Sequence, residues 1–189
     1  MSSAELINSV DYWNEWLTGS KKRHYDIAIF KIWIQFERTL GELFETYLLG
    51  NRSIKNYCPN RRLDFSDIGQ YKALAGTGKY LDHLKHSKEK SKLIFEQHDN
   101  PFEAVYNDLV LSKIIDEVYA IRNYIAHESP EAKVRFKNVC LDGPSSPDIA
   151  PNDFLQRMRK REEKINYTYY TEKLVEIIDY FEDPRPIDP

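Results

Sequence analysis

The run VYAIRNYIAHESPEAK, residues 118–133, holds three side chains suited to work on a phosphodiester. Histidine, here His127, exchanges protons near neutral pH. Arginine, here Arg122, offers a permanent charge and a planar fork of donors that matches phosphate oxygens. Asn123, one turn before the histidine, can fix the orientation of its ring. An Arg/His pair without carboxylate ligands beside it points to phosphodiester chemistry that needs no metal.

A helix must carry these residues. Leu111, Ile114, Val118, Ile121 and Ile125 step by three, four, three and four, which marks a buried stripe. At about 100° per residue, His127 lies about 160° from the centre of that stripe and Arg122 about 60°. Asn123 shares the outer face with His127, and the long side chain of Arg122 can swing outward from the flank. Ala120, Asn123, Tyr124 and His127 together form a face poor in charge, which suggests contact with a second subunit or a ligand.

The elements around this helix follow from pattern. Residues 4–17 read as a first helix ended by Gly19-Ser20. Ile29, Trp33, Phe36, Leu40, Leu43 and Tyr47 define a second, long one that stops near Gly50-Asn51. A third fits 69–87, kinked or divided by Gly76 and Gly78. SKLIFEQHD (91–99) reads as a short strand or an extended connector. Asn100-Pro101 opens a helix from Phe102 to about Glu128, with an interruption near Leu109–Ser112, and Ser129-Pro130 ends it. A short strand over 134–141, a loop, a basic helical piece DFLQRMRKREEK and a last helix striped by Tyr170, Leu174, Ile177 and Phe181 complete the chain. The expected architecture is all-α: a bundle of four or five helices in a single domain over 1–189. Its core spans about 5–135, with loop and helices over 136–182 and a tail over 183–189.

Bulk properties narrow the function classes. With 189 residues, 41% hydrophobic and 30% charged, the chain can bury a full core. A net charge of −3 gives no global pull toward polyanions, so any such binding must use local basic spots. Candidates are Arg61-Arg62, Lys85–Lys92 and Arg157–Arg161. The two cysteines, Cys58 and Cys140, form no CxxC pair, and the N-terminus lacks the pattern of a signal peptide, so a cytoplasmic protein is expected. The most apolar run, YDIAIFKIWIQF, is too short to span a bilayer. His83 and His86 have a ligand-like spacing but no third ligand, and read as a surface pair. Glu37 reads as a helix-surface residue. GTGK at 76–79 lacks the context of a phosphate loop, and no cofactor or metal is expected.

The residues IRNYIAH resemble the motif of HEPN domains (higher eukaryotes and prokaryotes nucleotide-binding): an arginine, a polar residue, several further residues and a histidine near a helix end. Arg122, Asn123 and His127 occupy those positions. The long helix IFKIWIQFERTLGELFETYLLG is similar to the second helix of stand-alone prokaryotic members, and the resemblance covers roughly 5–135. It implies a helical bundle that dimerises with the two motif helices face to face, so that both subunits build one cleft. It also implies a metal-independent endoribonuclease of a toxin–antitoxin or antiphage system, with RNA as substrate and an antitoxin or defence protein as partner. Histidine would then move protons around the ribose 2′-hydroxyl and arginine would hold the scissile phosphate, leaving a 2′,3′-cyclic phosphate and a 5′-hydroxyl. Some members carry a modifiable tyrosine two residues after the histidine; Ser129 stands there. The alternative within the resemblance is a non-catalytic module for dimerisation or for binding RNA or nucleotides.

Overall fold

The computed structural model describes residues 3–19, 24–76 and 83–184. Its elements in chain order are α1 (Ser3–Gly19), α2 (Tyr25–Leu48), α3 (Ile68–Ala75), α4 (His83–Glu89), α5 (Ser91–Ile94), α6 (Pro101–Asn107), α7 (Leu109–His127), α8 (Pro130–Cys140) and α9 (Pro151–Leu155). A two-stranded ribbon, β1 (Met158–Arg159) and β2 (Lys164–Ile165), and the last helix α10 (Asn166–Glu182) follow. The protein is all-α apart from that ribbon. Among the described residues the four long helices α1, α2, α7 and α10 form the bundle and the short ones fill its flanks. No described helix is long and apolar enough to cross a membrane.

Helix α2 is the axis. Its six stripe residues from Ile29 to Tyr47 are all buried, as their spacing predicts. Trp33 and Phe36 lie 5.1 Å apart, Phe44 meets Phe102 at 5.4 Å, and Phe102 stacks on Phe181 of α10 at 5.0 Å. The helix ends where Gly50 turns left-handed at φ +75°. There the Arg61 guanidinium donates to the Leu48 carbonyl at 3.0 Å, and a Cβ on Gly50 would stand 2.4 Å from Arg61. One half of the first basic spot is therefore spent on a helix end.

The ends of the bundle are pinned by side chains. Tyr47 Oη donates to the Phe181 carbonyl at 2.6 Å. The buried Glu182 carboxylate accepts from Ser3 N at 2.8 Å and Ser3 Oγ at 2.7 Å, placing a negative charge on the N-terminus of α1.

The region 69–87 divides as the glycines suggest: Asp67 caps α3 through a 2.9 Å bond from Gln70 N, and Gly76, φ +65°, ends it. Thr77–Lys79 of the GTGK run lie outside the described residues, as do the side chain of His83 and the end of the tail, 185–189. Asn100 caps α6 as expected, accepting from Glu103 N at 3.2 Å. The anticipated interruption falls at Asp108, whose carboxylate caps the new helix by accepting from Val110 N and Leu111 N at 2.8 and 2.9 Å.

Three expectations are corrected. Residues 91–99 hold a single turn of helix and a 3-10 turn at Gln97–Asp99, with one bridge between Arg61 and Phe95 in place of a strand. The segment 134–141 is helix, not strand. Ser129 caps α8 by accepting from Ala132 N at 3.2 Å, Pro130 sits in its first turn, and Phe136 is its buried residue. The basic piece after α9 is a hairpin, because Arg159 is drawn inward. Its Nη2 donates to Glu117 Oε2 at 3.2 Å and to Tyr170 Oη at 3.0 Å, and its Nε donates to Asn166 Oδ1 at 2.9 Å. Tyr170 in turn donates to Glu117 Oε2 at 2.9 Å.

Two outcomes test this packing. Arg159→Met leaves the buried Glu117 carboxylate short of its main partner and should cost about 2–3 kcal/mol, read as a lower urea midpoint at unchanged slope. Burial raises the hydroxyl of Tyr71 from 10.0 to about 12 and pushes Tyr47, Tyr57, Tyr167 and Tyr170 up as well. Because the folded values are raised, the stability they carry is complete below pH 10 and falls as pH rises through the folded values. Ultraviolet titration should show these phenols ionising above the ordinary tyrosine range, together with unfolding.

Candidate functional site

The last two turns of α7 carry Arg122, Asn123 and His127, as the sequence pattern requires. Ile114, Val118 and Ile121 are buried, while Leu111 and Ile125 at the ends of the stripe are half-buried. Arg122 is half-buried with its guanidinium carbon 5.7 Å from the centre of the Phe30 ring on α2, close enough for the ring face to attract the cation. Its Nη1 donates to Asn123 Oδ1 at 3.0 Å, and its buried Nε has no hydrogen-bond partner among the described residues.

Asn123 therefore orients the arginine. No bond among the described residues joins it to His127, so the expected role of holding the imidazole is not what the geometry shows. His127 is exposed on the final turn, where a protonated imidazole would face the helix's free carbonyls. His127 lies five positions after Arg122, which on an α-helix is a rise of about 7.5 Å and a rotation of about 140°. The two groups diverge from one helix and cannot grip the same phosphate from it.

The charge-poor face is only partly open. Ala120 is fully buried, and the Tyr124 ring lies 5.5 Å from Phe136 because α8 doubles back against α7. Arg135 of α8 sits 4.9 Å over Tyr119, whose ring is 6.1 Å from Trp33. The reversal is made by Glu128, left-handed at φ 48°, whose N–H bonds the Tyr124 carbonyl at 3.0 Å. The protein's own chain thus closes half of a face that the sequence assigned to a second subunit or ligand.

A neighbouring surface escaped the sequence reading. Ile27 and Ile34 of α2 are 43% and 41% exposed, and they flank Phe30 by three and four residues. They make an apolar strip on the outer side of α2 beside Arg122. The signal was present in YDIAIFKIWIQF, which is apolar on more than one face of its helix. Glu37, half-buried two turns beyond Phe30, is already engaged by neighbouring residues.

The other candidates resolve into structural roles. His86 is buried, not on the surface, with Nδ1 2.6 Å from Tyr71 Oη. No group of three metal-ligating side chains exists among the described residues. In the basic spots, Lys92 pairs with Glu103 at 3.5 Å, Lys88 lies 5.6 Å over Tyr106, and Arg159 belongs to the interior, while Arg157, Lys160 and Arg161 are exposed. Cys58 and Cys140 are free thiols.

Fold and site together describe a helical-bundle protein that presents an anchored arginine and an open histidine at the end of a core helix. No family model, curated protein or solved structure matches the chain.

The pairing of α8 with α7 can be checked directly. Phe136→Ala should destabilise the protein by about 3 kcal/mol. It should also speed hydrogen exchange at the amides of residues 124–128, which exchange mass spectrometry reads.

Proposed function

We propose that the chain is a metal-independent endoribonuclease of the HEPN type that works as a homodimer, in a toxin–antitoxin or antiphage setting in the cytoplasm. The observation that carries this reading is the divergence of Arg122 and His127 by about 140° on one helix, with an apolar strip at Ile27 and Ile34 exposed beside the arginine. A single chain holds the parts of a phosphodiester site without assembling them. A second copy, docked through the strip and the open part of α7, supplies the missing half.

In the composite cleft, Arg122 is preset by Asn123 and Phe30 to receive the scissile phosphate, so little ordering is left for substrate binding. One His127 takes the proton from the ribose 2′-hydroxyl as its oxygen attacks phosphorus. The bond to the 5′-oxygen breaks, and His127 of the partner subunit returns a proton to it. The products are a 2′,3′-cyclic phosphate and a 5′-hydroxyl.

One observation favours a second reading. No described residue bonds the ring of His127, so none of the described residues orients it for proton transfer. A non-catalytic module that binds RNA through Arg122 would need no such orientation.

Incubation of the purified protein with RNA in excess chelator decides between them. Cleavage by the wild type should fall by about 10²–10³-fold in Arg122→Ala and in His127→Ala. Ile34→Glu should give a monomer by sedimentation and abolish cleavage. Intact RNA, variants that cut like wild type, or an active strict monomer would sink the nuclease reading.

A further inference from the structure

A groove between α3 and α5 is built from a buried floor of Phe65, Tyr71 and Ile94 and a rim of Leu63, Leu74 and Leu93. The rim leucines are 41%, 70% and 61% exposed. Single exposed leucines are ordinary on protein surfaces, but three around one concavity are not. The groove encloses about 90 Å³, well below the roughly 300–1,000 Å³ of small-molecule sites. It has room for one large apolar side chain, the usual anchor of a docked peptide.

Charge says what surrounds that anchor. Lys90 lines the groove, and Arg62 stands beside it, its backbone N–H donating to the Ile94 carbonyl at 2.7 Å. No described residue forms an ion pair with either cation. The adjacent carboxylates are committed: Asp64 pairs with Arg61 at 2.9 Å and Asp67 caps α3. Glu89, one residue before Lys90, does not line the groove.

We propose that this groove docks a segment of a protein partner that inserts one apolar side chain between Leu74 and Leu93 and sets carboxylates against Lys90 and Arg62. The site is remote from Arg122. Tyr71 meets Phe44 at 5.9 Å, and Phe44 lies fourteen residues beyond Phe30 on α2, about 21 Å along the helix. A partner seated here leaves the α7 site uncovered, and the inference does not rest on the ribonuclease reading.

Fluorescence anisotropy on the full chain tests it. The probe is a labelled peptide with leucines four residues apart among glutamates, beside the same peptide with lysines in place of the glutamates. The acidic probe should bind saturably and at least about tenfold more tightly than the basic one. Leu74→Ser combined with Leu93→Ser should weaken it about tenfold, and Lys90→Glu combined with Arg62→Glu should do likewise. Leu74, Leu93 and Arg62 are exposed and Lys90 is half-buried along the groove, outside the core, so thermal unfolding should stay close to that of the wild type. No binding, equal binding of both probes, or binding that survives these changes overturns the proposal. Vesicles containing phosphatidylserine form the last arm: groove-dependent vesicle binding without peptide binding would assign the surface to a membrane and overturn it too. RNA cleavage measured on the same variants should match wild type, which separates failure of the groove from failure of the nuclease reading.

Discussion

The near-total burial of one side of α2 is the constraint from which the rest follows. Trp33, Phe36, Phe44 and Tyr47 are all fully buried, each contributing about 1.5–3 kcal/mol of apolar transfer. The rings differ in their partners. Trp33 faces Tyr119 of α7, Phe44 faces Tyr71, Phe95 and Phe102, and Tyr47 reaches Phe181 of α10. Close packing leaves these neighbours little freedom to shift relative to α2. The position of Arg122 over Phe30 is therefore set by the core and not by the arginine itself.

A second, polar constraint fixes the other side of α7. Glu117 is buried five residues before Arg122 and is held by Arg159 and Tyr170, with Lys113 at 3.7 Å. A buried carboxylate tolerates few arrangements of its partners, so this cluster specifies how the hairpin and α10 meet α7. Helix α7 is thereby gripped from two directions, by rings on one side and by ions on the other. Its C-terminal turn, with His127, is left exposed.

Much of this was legible in the residues. The stripes of α2 and α10, the cap at Asn100 and the break before α7 follow from spacing and capping chemistry. The failures have physical causes. In 134–141, Val134 and Phe136 alternate like a strand, whereas Ala132, Phe136, Val139 and Cys140 also fit a helix. The deciding signal was Ser129-Pro130, which ends one helix and begins the next. The basic piece with strong helix formers becomes a hairpin because Arg159 gains a buried carboxylate, a long-range contact that local propensity cannot report. The role of Asn123 was misjudged because helical neighbours four apart suggest contact, while the adjacent arginine was long enough to fold back and reach it first.

The turn after His127 has a further consequence. Glu128 occupies the left-handed basin at φ 48°, where a side chain costs on the order of 1–2 kcal/mol relative to glycine. That basin is also small for any residue with a Cβ. A glycine would make the connection looser as well as less strained. With glutamate there, the joint between α7 and α8 is a stiff elbow: the chain gives up some stability and gains a narrow range of angles at the mouth of the histidine's surroundings.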